Sequence, residues 1–187
     1  LNGLGDAVSY GRSFVGKEPF ALLLGDTLLG SDDAERPILR QMLDIYEEKG
    51  ESVIALEEVE PHKVSRYGIA GGKSKGNGVI EIDQLVEKPE IGKVHSNLAI
   101  AGRYIFHPAI FDYIAKTEPG KNGEIQLTDA MVPVLADRGM YGLRFAGKRY
   151  DIGNKVDFIK TNIEFGLKRE DIGEELAEYL KRIVAGL

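Results

Sequence analysis

The order of apolar and polar positions divides the chain into alternating strand-like and helical segments. Ala21-Leu22-Leu23-Leu24 is an unbroken apolar run. It suits a strand over 20–24 buried on both faces, as in a parallel sheet. Residues from Gly5 to Arg12 predict a short helix leading into it. Asp32, Asp33 and Pro37 start a helix in which Ile38, Met42, Ile45 and Tyr46 recur at helical spacing until Gly50. A strand follows over 52–59, closed by Glu60-Pro61. Residues 68–78, rich in glycine and lysine, predict a hairpin or mobile loop, and 79–86 another strand. A strand over 98–106 and a helix with Ile110, Phe111 and Ile114 on its apolar side come next. Thr128 or Asp129 caps a helix through Asp137. Short strands lie at 141–145 and 149–152. Val156, Ile159, Ile163 and Leu167 form the buried side of a long helix. Asp171 with Glu174 resembles a capping box for a last helix with Leu176, Tyr179, Leu180 and Ile183 inward. This alternation predicts one α/β domain over 1–187, a mainly parallel mixed sheet flanked by helices.

Composition narrows the function. A net charge of −6 provides no basic field for nucleic acid or an anionic membrane surface. No apolar stretch approaches membrane-spanning length. With no cysteine, disulfides and thiolate metal sites are excluded; a cytoplasmic location is the expectation. A chain this acidic needs local glycines, a few cations or a metal to bind phosphate-bearing ligands. The three histidines, His62, His95 and His107, share no metal-ligand spacing and read as surface or loop residues.

Four small groups carry candidate chemistry. The predicted strand at 20–24 stops at Gly25-Asp26, which places a carboxylate beyond a strand's carboxyl end, where open α/β sheets bind ligands. Asp151 ends another strand. If these two acids meet, they can hold one Mg²⁺, a hard ion that prefers oxygen. Each could equally be an Asx turn or a helix cap. Glu87-Lys88-Pro89 fixes a cation beside an acid at a strand exit. The lysine suits a phosphate and the glutamate suits sugar hydroxyls; a solvated charge pair is the plainer reading. Gly3-Leu4-Gly5 lets backbone pass close to a flat or phosphorylated ligand, or simply turns. Tyr67-Gly68 and Ser96-Asn97 are weaker signals of the same kind.

Taken in order, LLLGD, VSRYGI, LVEKP, SNLAIAGRYIF, GEIQLTDAM and RYDIGNK resemble the bacterial UTP–glucose-1-phosphate uridylyltransferases, within the sugar nucleotidyltransferases. The resemblance runs from about Gly3 to about Leu167. It implies a Rossmann-like nucleotidyltransferase fold that joins UTP and glucose 1-phosphate into UDP-glucose and pyrophosphate, with Mg²⁺. It makes Asp26 and Asp151 the metal aspartates. It also puts Gly3 and Gly5 in the loop lining the uridine, and Gly68 and Glu87 on the sugar. Lys88 falls on the sugar phosphate and Ala101 on the strand beside the hexose. Members are commonly dimers or tetramers, so a homo-oligomer is expected.

The sequence departs from that pattern in places. The G-x-G-T-R signature and its P-x-x-K stretch are absent, as is the uracil-reading glutamine before G-L-G. Asp6 stands where histidine is common, and Asn2 where an apolar residue is. The expectation is a fragment lacking the N-terminal nucleotide-binding strand and loop, incompetent by itself. A glucose-1-phosphate thymidylyltransferase is the nearest alternative. A non-catalytic sugar-nucleotide-binding or regulatory subunit is the alternative of another class. A metal-dependent glycosyltransferase would bring a D-x-D motif, which Gly25-Asp26-Thr27-Leu28 does not supply.

Overall fold

The computed structural model describes residues 2–33 and 35–186. The chain divides into two compact units. One comprises the residues up to Leu24 together with Ser31–Gly147; the other comprises Gly25–Gly30 with Lys148 onward.

In the larger unit, helices α1 (Leu4–Ser9) and α2 (Arg12–Val15) precede strand β1 (Phe20–Leu23). Strand β2 (Thr27–Ser31) belongs almost wholly to the smaller unit. Then come α3 (Ile38–Lys49), β3 (Val53–Glu58), a 3₁₀ turn (Pro61–Arg66), β4 (Gly68–Gly76), β5 (Val79–Glu87) and β6 (Leu98–Phe106). α4 (Ile110–Ile114), a 3₁₀ turn (Lys121–Gly123), α5 (Leu127–Arg138) and β7 (Tyr141–Arg144) complete the unit. The six strands run in the order β1-β6-β3-β7-β5-β4, and β4 also pairs with β6.

The α/β class and the mixed sheet hold, but the predominance of parallel pairing does not. Among the described residues only β3 with β7 is a parallel pair in this sheet; β1–β6, β3–β6, β4–β5, β4–β6 and β5–β7 are antiparallel. A parallel neighbour needs a crossover of about a dozen residues or more, usually a helix. Here the turn Gly76-Asn77-Gly78, with Asn77 at φ 49, returns the chain at once as a hairpin. The segment between β5 and β6 contains no helix. The strand expected at 20–24 also differs: β1 is the sheet's outer strand with alternating burial, and Leu23 is 50% exposed. The run buried on both faces is β3, where Val53, Ile54, Ala55 and Leu56 are all sealed from solvent.

The core lies on either side of β3. Ile54 and Leu56 join Phe106, Ile110, Met131 and Val134 in one cluster. Val53 and Ala55 point the opposite way by strand alternation, and α3, burying Ile38, Met42 and Ile45, packs on β3, β6 and β7.

In the smaller unit, β2 pairs with β8 (Gly147–Asp151), followed by α6 (Lys155–Leu167) and α7 (Gly173–Ala185). Asn154 caps α6: its Oδ1 accepts the N–H groups of Val156 and Asp157 at 2.9 and 3.2 Å. Asn154→Ala is therefore expected to destabilise the fold by about 1 kcal/mol, read as a shift of the urea midpoint at unchanged slope. The capping box expected at Asp171 and Glu174 does not form. Ile172 is the N-cap, no side chain caps the helix, and Asp171 pairs with Arg169 instead. The apolar stripes are present at the expected spacing but largely uncovered. Val156, Ile159, Leu167, Tyr179 and Ile183 are exposed, and Leu176 and Leu180 are half-buried. Helical periodicity reveals that a stripe exists, not that the chain covers it. No helix among the described residues is long and apolar enough to cross a membrane.

Candidate active site

Asp26 and Asp151 meet in the smaller unit. Pairing of β2 with β8 sets their segments side by side, and the ladder continues past the strand ends: Ile152 N–H donates to the Asp26 carbonyl at 2.8 Å. Gly153 lies between the two acids. A methyl group on its Cα would lie 3.4 Å from Asp151 Oδ1 and 3.5 Å from Asp26 Oδ2, so both carboxylates face one small space that a side chain would fill. Asp151 Oδ1 also accepts the Gly153 N–H at 3.1 Å, and the Thr27 hydroxyl lies 3.3 Å from Asp26 Oδ1. Asp26 is exposed and Asp151 half-buried. Two hard-oxygen donors around an open space fit a divalent cation. Among the described residues no group of three or more His, Cys, Asp or Glu gathers to hold a metal. The protein therefore offers two carboxylates, and the other positions would fall to ligand phosphates and water.

The remaining candidates lie in the larger unit and form two groups. Gly68, Glu87 and Lys88 come together because β4 pairs with β5 in the register Gly68↔Glu87. Lys88 sits at φ 43, unusual for a residue with a side chain and more so before proline. Its N–H donates to the Tyr67 carbonyl at 3.1 Å, which holds that conformation. Its Nζ lies 3.4 Å from Glu87 Oε1, with Lys88 45% and Glu87 16% exposed. A methyl on Gly68 would meet Ile100 Cδ1 at 2.9 Å, Thr128 Oγ1 at 2.9 Å and Glu87 Oε2 at 3.1 Å. Ala101, fully buried in β6, follows Ile100 directly.

Gly3 and Gly5 form the second group, against Ile125. Gly5 N–H donates to the Ile125 carbonyl at 2.8 Å, and Ile125 N–H donates to Asn2 at 2.7 Å. A methyl on Gly3 would lie 2.7 Å from the Ile125 oxygen, and Gly3 has φ 108. Backbone crossing at Ile125 already requires both glycines. Asp6 folds back, its Oδ2 accepting the Asn2 N–H at 2.9 Å.

Thr128 and Asp129 were expected as caps. They lie instead inside the first turn of α5, whose N-cap is Gln126 with no side-chain cap bond. Thr128 is 7% exposed. Burial, and then the charge of Glu87, raise the Asp129 carboxyl above the usual range. Their spacing in GEIQLTDAM carried the signal, but Thr-Asp ahead of an apolar stretch reads first as a cap.

Strand-end carboxylates that share one space can hold a divalent cation, and such an ion can neutralise charge on phosphate oxygens. The chain belongs to the nucleotidyl transferase family, whose pattern matches residues 1–166, across both units. It is 43% identical over 181 residues to UTP–glucose-1-phosphate uridylyltransferase 1 of Staphylococcus saprophyticus subsp. saprophyticus, covering 97% of this chain and 62% of that protein. The corresponding enzyme of Staphylococcus epidermidis is 42% identical over the same shares. Among solved structures, UDP-glucose pyrophosphorylase complexed with UDP-glucose superposes with a TM-score of 0.85 at 41% identity, over 90% of this chain and 63% of that one. The UTP-bound enzyme of Acinetobacter baumannii gives 0.83 at 32% identity, over 95% and 61%. The chain thus spans 62% of the length of these curated relatives.

Proposed function

We propose that the protein carrying this chain transfers a uridylyl group from UTP to glucose 1-phosphate, giving UDP-glucose and pyrophosphate. The observation that carries the chemistry is the convergence of Asp26 and Asp151 on one open space beside Gly153. The substrates are supported by the likeness to UTP–glucose-1-phosphate uridylyltransferases along nearly the whole chain. Both units belong, in this reading, to one nucleotidyltransferase domain, acting in the cytoplasm as a homo-oligomer. Exposed Tyr179, Ile183 and Val184 on α7 favour association.

The reaction is an in-line displacement. A phosphate oxygen of glucose 1-phosphate forms a bond to the α-phosphorus of UTP. The bond from that phosphorus to the oxygen bridging the α- and β-phosphates breaks, and pyrophosphate leaves with its electron pair. Positioning and charge neutralisation meet most of the demand, so no histidine or cysteine nucleophile is needed. Asp26 and Asp151 would hold a divalent cation, Mg²⁺ in this reading, which supplies positive charge against the phosphates. Lys88 meets the phosphate of the sugar as a point charge. Glu87, opposite Gly68 in the β4–β5 register, accepts hydrogen bonds from sugar hydroxyls. Gly3 and Gly5 line the base and Ala101 the hexose.

The test is pyrophosphate release by the full-length protein with glucose 1-phosphate, a divalent cation, and either UTP or dTTP. Turnover that needs the cation and prefers UTP is expected. Release from neither nucleotide would remove the reading, and a strong preference for dTTP would replace it with thymidylyl transfer. Lys88→Ala should raise KM for glucose 1-phosphate at least tenfold and leave KM for UTP nearly unchanged. A charge-assisted hydrogen bond is worth about 1.5–3 kcal/mol.

A further inference from the structure

Arg103 ties the carboxyl end of β1 to β6. One of its guanidinium nitrogens donates to two carbonyls at once, to Leu24 at 3.0 Å and to Gly102 at 2.8 Å. Both hydrogens of that nitrogen are thereby used. The Leu24 N–H donates to the Gly102 carbonyl at 3.1 Å, which carries the β1–β6 ladder past the pair Leu23↔Arg103. An irregularity in β6 aims the side chain there. Between the pairs Ile54↔Tyr104 and Leu56↔Ile100, Ala55 of β3 alone faces Ala101, Gly102 and Arg103 of β6. Gly102 takes up the excess at φ 67, in the region that favours glycine. Bulges of this kind re-aim a side chain at a sheet margin or beside a working site.

Arg103 is half-buried, and a charge there carries a desolvation cost that an apolar side chain would avoid. What the charge secures is a strand end that needs it. β1 has four residues and is the outer strand of its sheet, and the ends of such strands open readily. Gly25 comes next. It is exposed, and a methyl on it would meet nothing within 4 Å, so packing does not restrain it. Asp26 follows. On its far side the chain is held by β2 and by the Ile152 N–H on the Asp26 carbonyl. On its near side, one glycine away, the anchor is the Leu24 carbonyl that Arg103 clamps.

We propose that Arg103 is a positioning residue for the divalent cation: by clamping the Leu24 carbonyl it fixes the chain from which Asp26 departs. This inference rests on the uridylyl-transfer reading, in which Asp26 holds the cation, and adds a residue from a different strand. A carboxylate on a loosened chain must be ordered before it binds, so the loss falls on cation binding and on turnover.

The experiment compares Arg103→Met, which keeps the apolar stem and removes the donors, with Arg103→Lys, which keeps the charge and a donor, in the full-length protein. Backbone hydrogen exchange in a peptide spanning 22–27 should quicken at least tenfold in Arg103→Met, the scale of one charge-assisted hydrogen bond. Half-saturating Mn²⁺, read by electron paramagnetic resonance with UTP and without the sugar phosphate, should rise about three- to tenfold. Turnover at saturating cation should fall about tenfold, while KM for glucose 1-phosphate stays within twofold of wild type. Arg103→Lys should lie between the methionine variant and wild type in all three altered readings. A lower melting temperature with Mn²⁺ binding within twofold of wild type would mean a merely structural role and overturns the proposal. So does unchanged exchange over 22–27. If the methionine variant does not fold, Arg103→Gln is read against Arg103→Lys on the same criteria. Normal wild-type turnover with Mn²⁺ binding indifferent to Arg103 removes only this inference; a wild type without turnover removes the function reading and this one with it.

Discussion

Asp151→Asn in the full-length protein is expected to lower cation-dependent turnover by about 10²–10³-fold, the scale of losing one well-placed electrostatic contact to a reacting phosphate or oxyanion. Fold stability should hold or rise slightly. Asparagine keeps an oxygen that can accept the Gly153 N–H, now at 3.1 Å, so the turn into α6 persists. What disappears is one of two negative charges that face the same space beside Gly153. Like charges gathered in one place oppose folding slightly and are retained where function needs them. Asp26→Asn should act the same way, since its Oδ2 faces the space from the other side. The two substitutions remove parts of one cation site, so the double variant should lose far less than the product of the single losses. The measurement is pyrophosphate release across a divalent-cation titration, with a thermal melt of each variant. Turnover within fivefold of wild type at saturating cation, for either aspartate, would mean that the acids meet for some other reason.

The acids were legible in the sequence as residues that end strands; their meeting was not. It depends on β2 pairing with β8, strands far apart in the chain, and on the glycine between the carboxylates. The sheet shows the same limit. Ala21–Leu24 and Val53–Leu56 are both apolar runs, and the first of them reads as a strand buried on both faces. Only β3 is one, because it lies between β6 and β7 while β1 has β6 on one side and is the outer strand of the sheet order. An apolar run records what it would gain by burial, not its place in a sheet. Gly3 and Gly5 signal a close approach of backbone, and the structure sets the Ile125 carbonyl against both. On α6 and α7 the 3.6-residue period marked the apolar stripe, while its cover could not be read. Thr128 and Asp129 read as caps for a local reason: a Thr-Asp pair carries the capping signal whether or not the helix has already begun. The first turn here opens one residue before it, at Leu127.

Gly68→Ala is expected to reduce kcat/KM for glucose 1-phosphate by about 10²-fold, the cost of displacing a positioning group by roughly 1 Å. Stability should fall by about 1–3 kcal/mol from overpacking. Gly68 is not among the positive-φ glycines, so alanine suits its backbone and the effect is steric. The new methyl would press on Ile100 Cδ1 and Thr128 Oγ1 at 2.9 Å and Glu87 Oε2 at 3.1 Å. The isoleucine end can swing aside by changing rotamer. Thr128 is short, branched and buried on α5, so it yields less. The displacement therefore falls on Glu87, which is why sugar-phosphate use should suffer while KM for UTP does not. Adding Ile100→Val to Gly68→Ala separates the two contacts, since valine lacks the Cδ1 atom. Part of the lost stability should return, but the weak use of glucose 1-phosphate should persist. Recovery of both would place the whole cost on Ile100 and take Glu87 out of the sugar site.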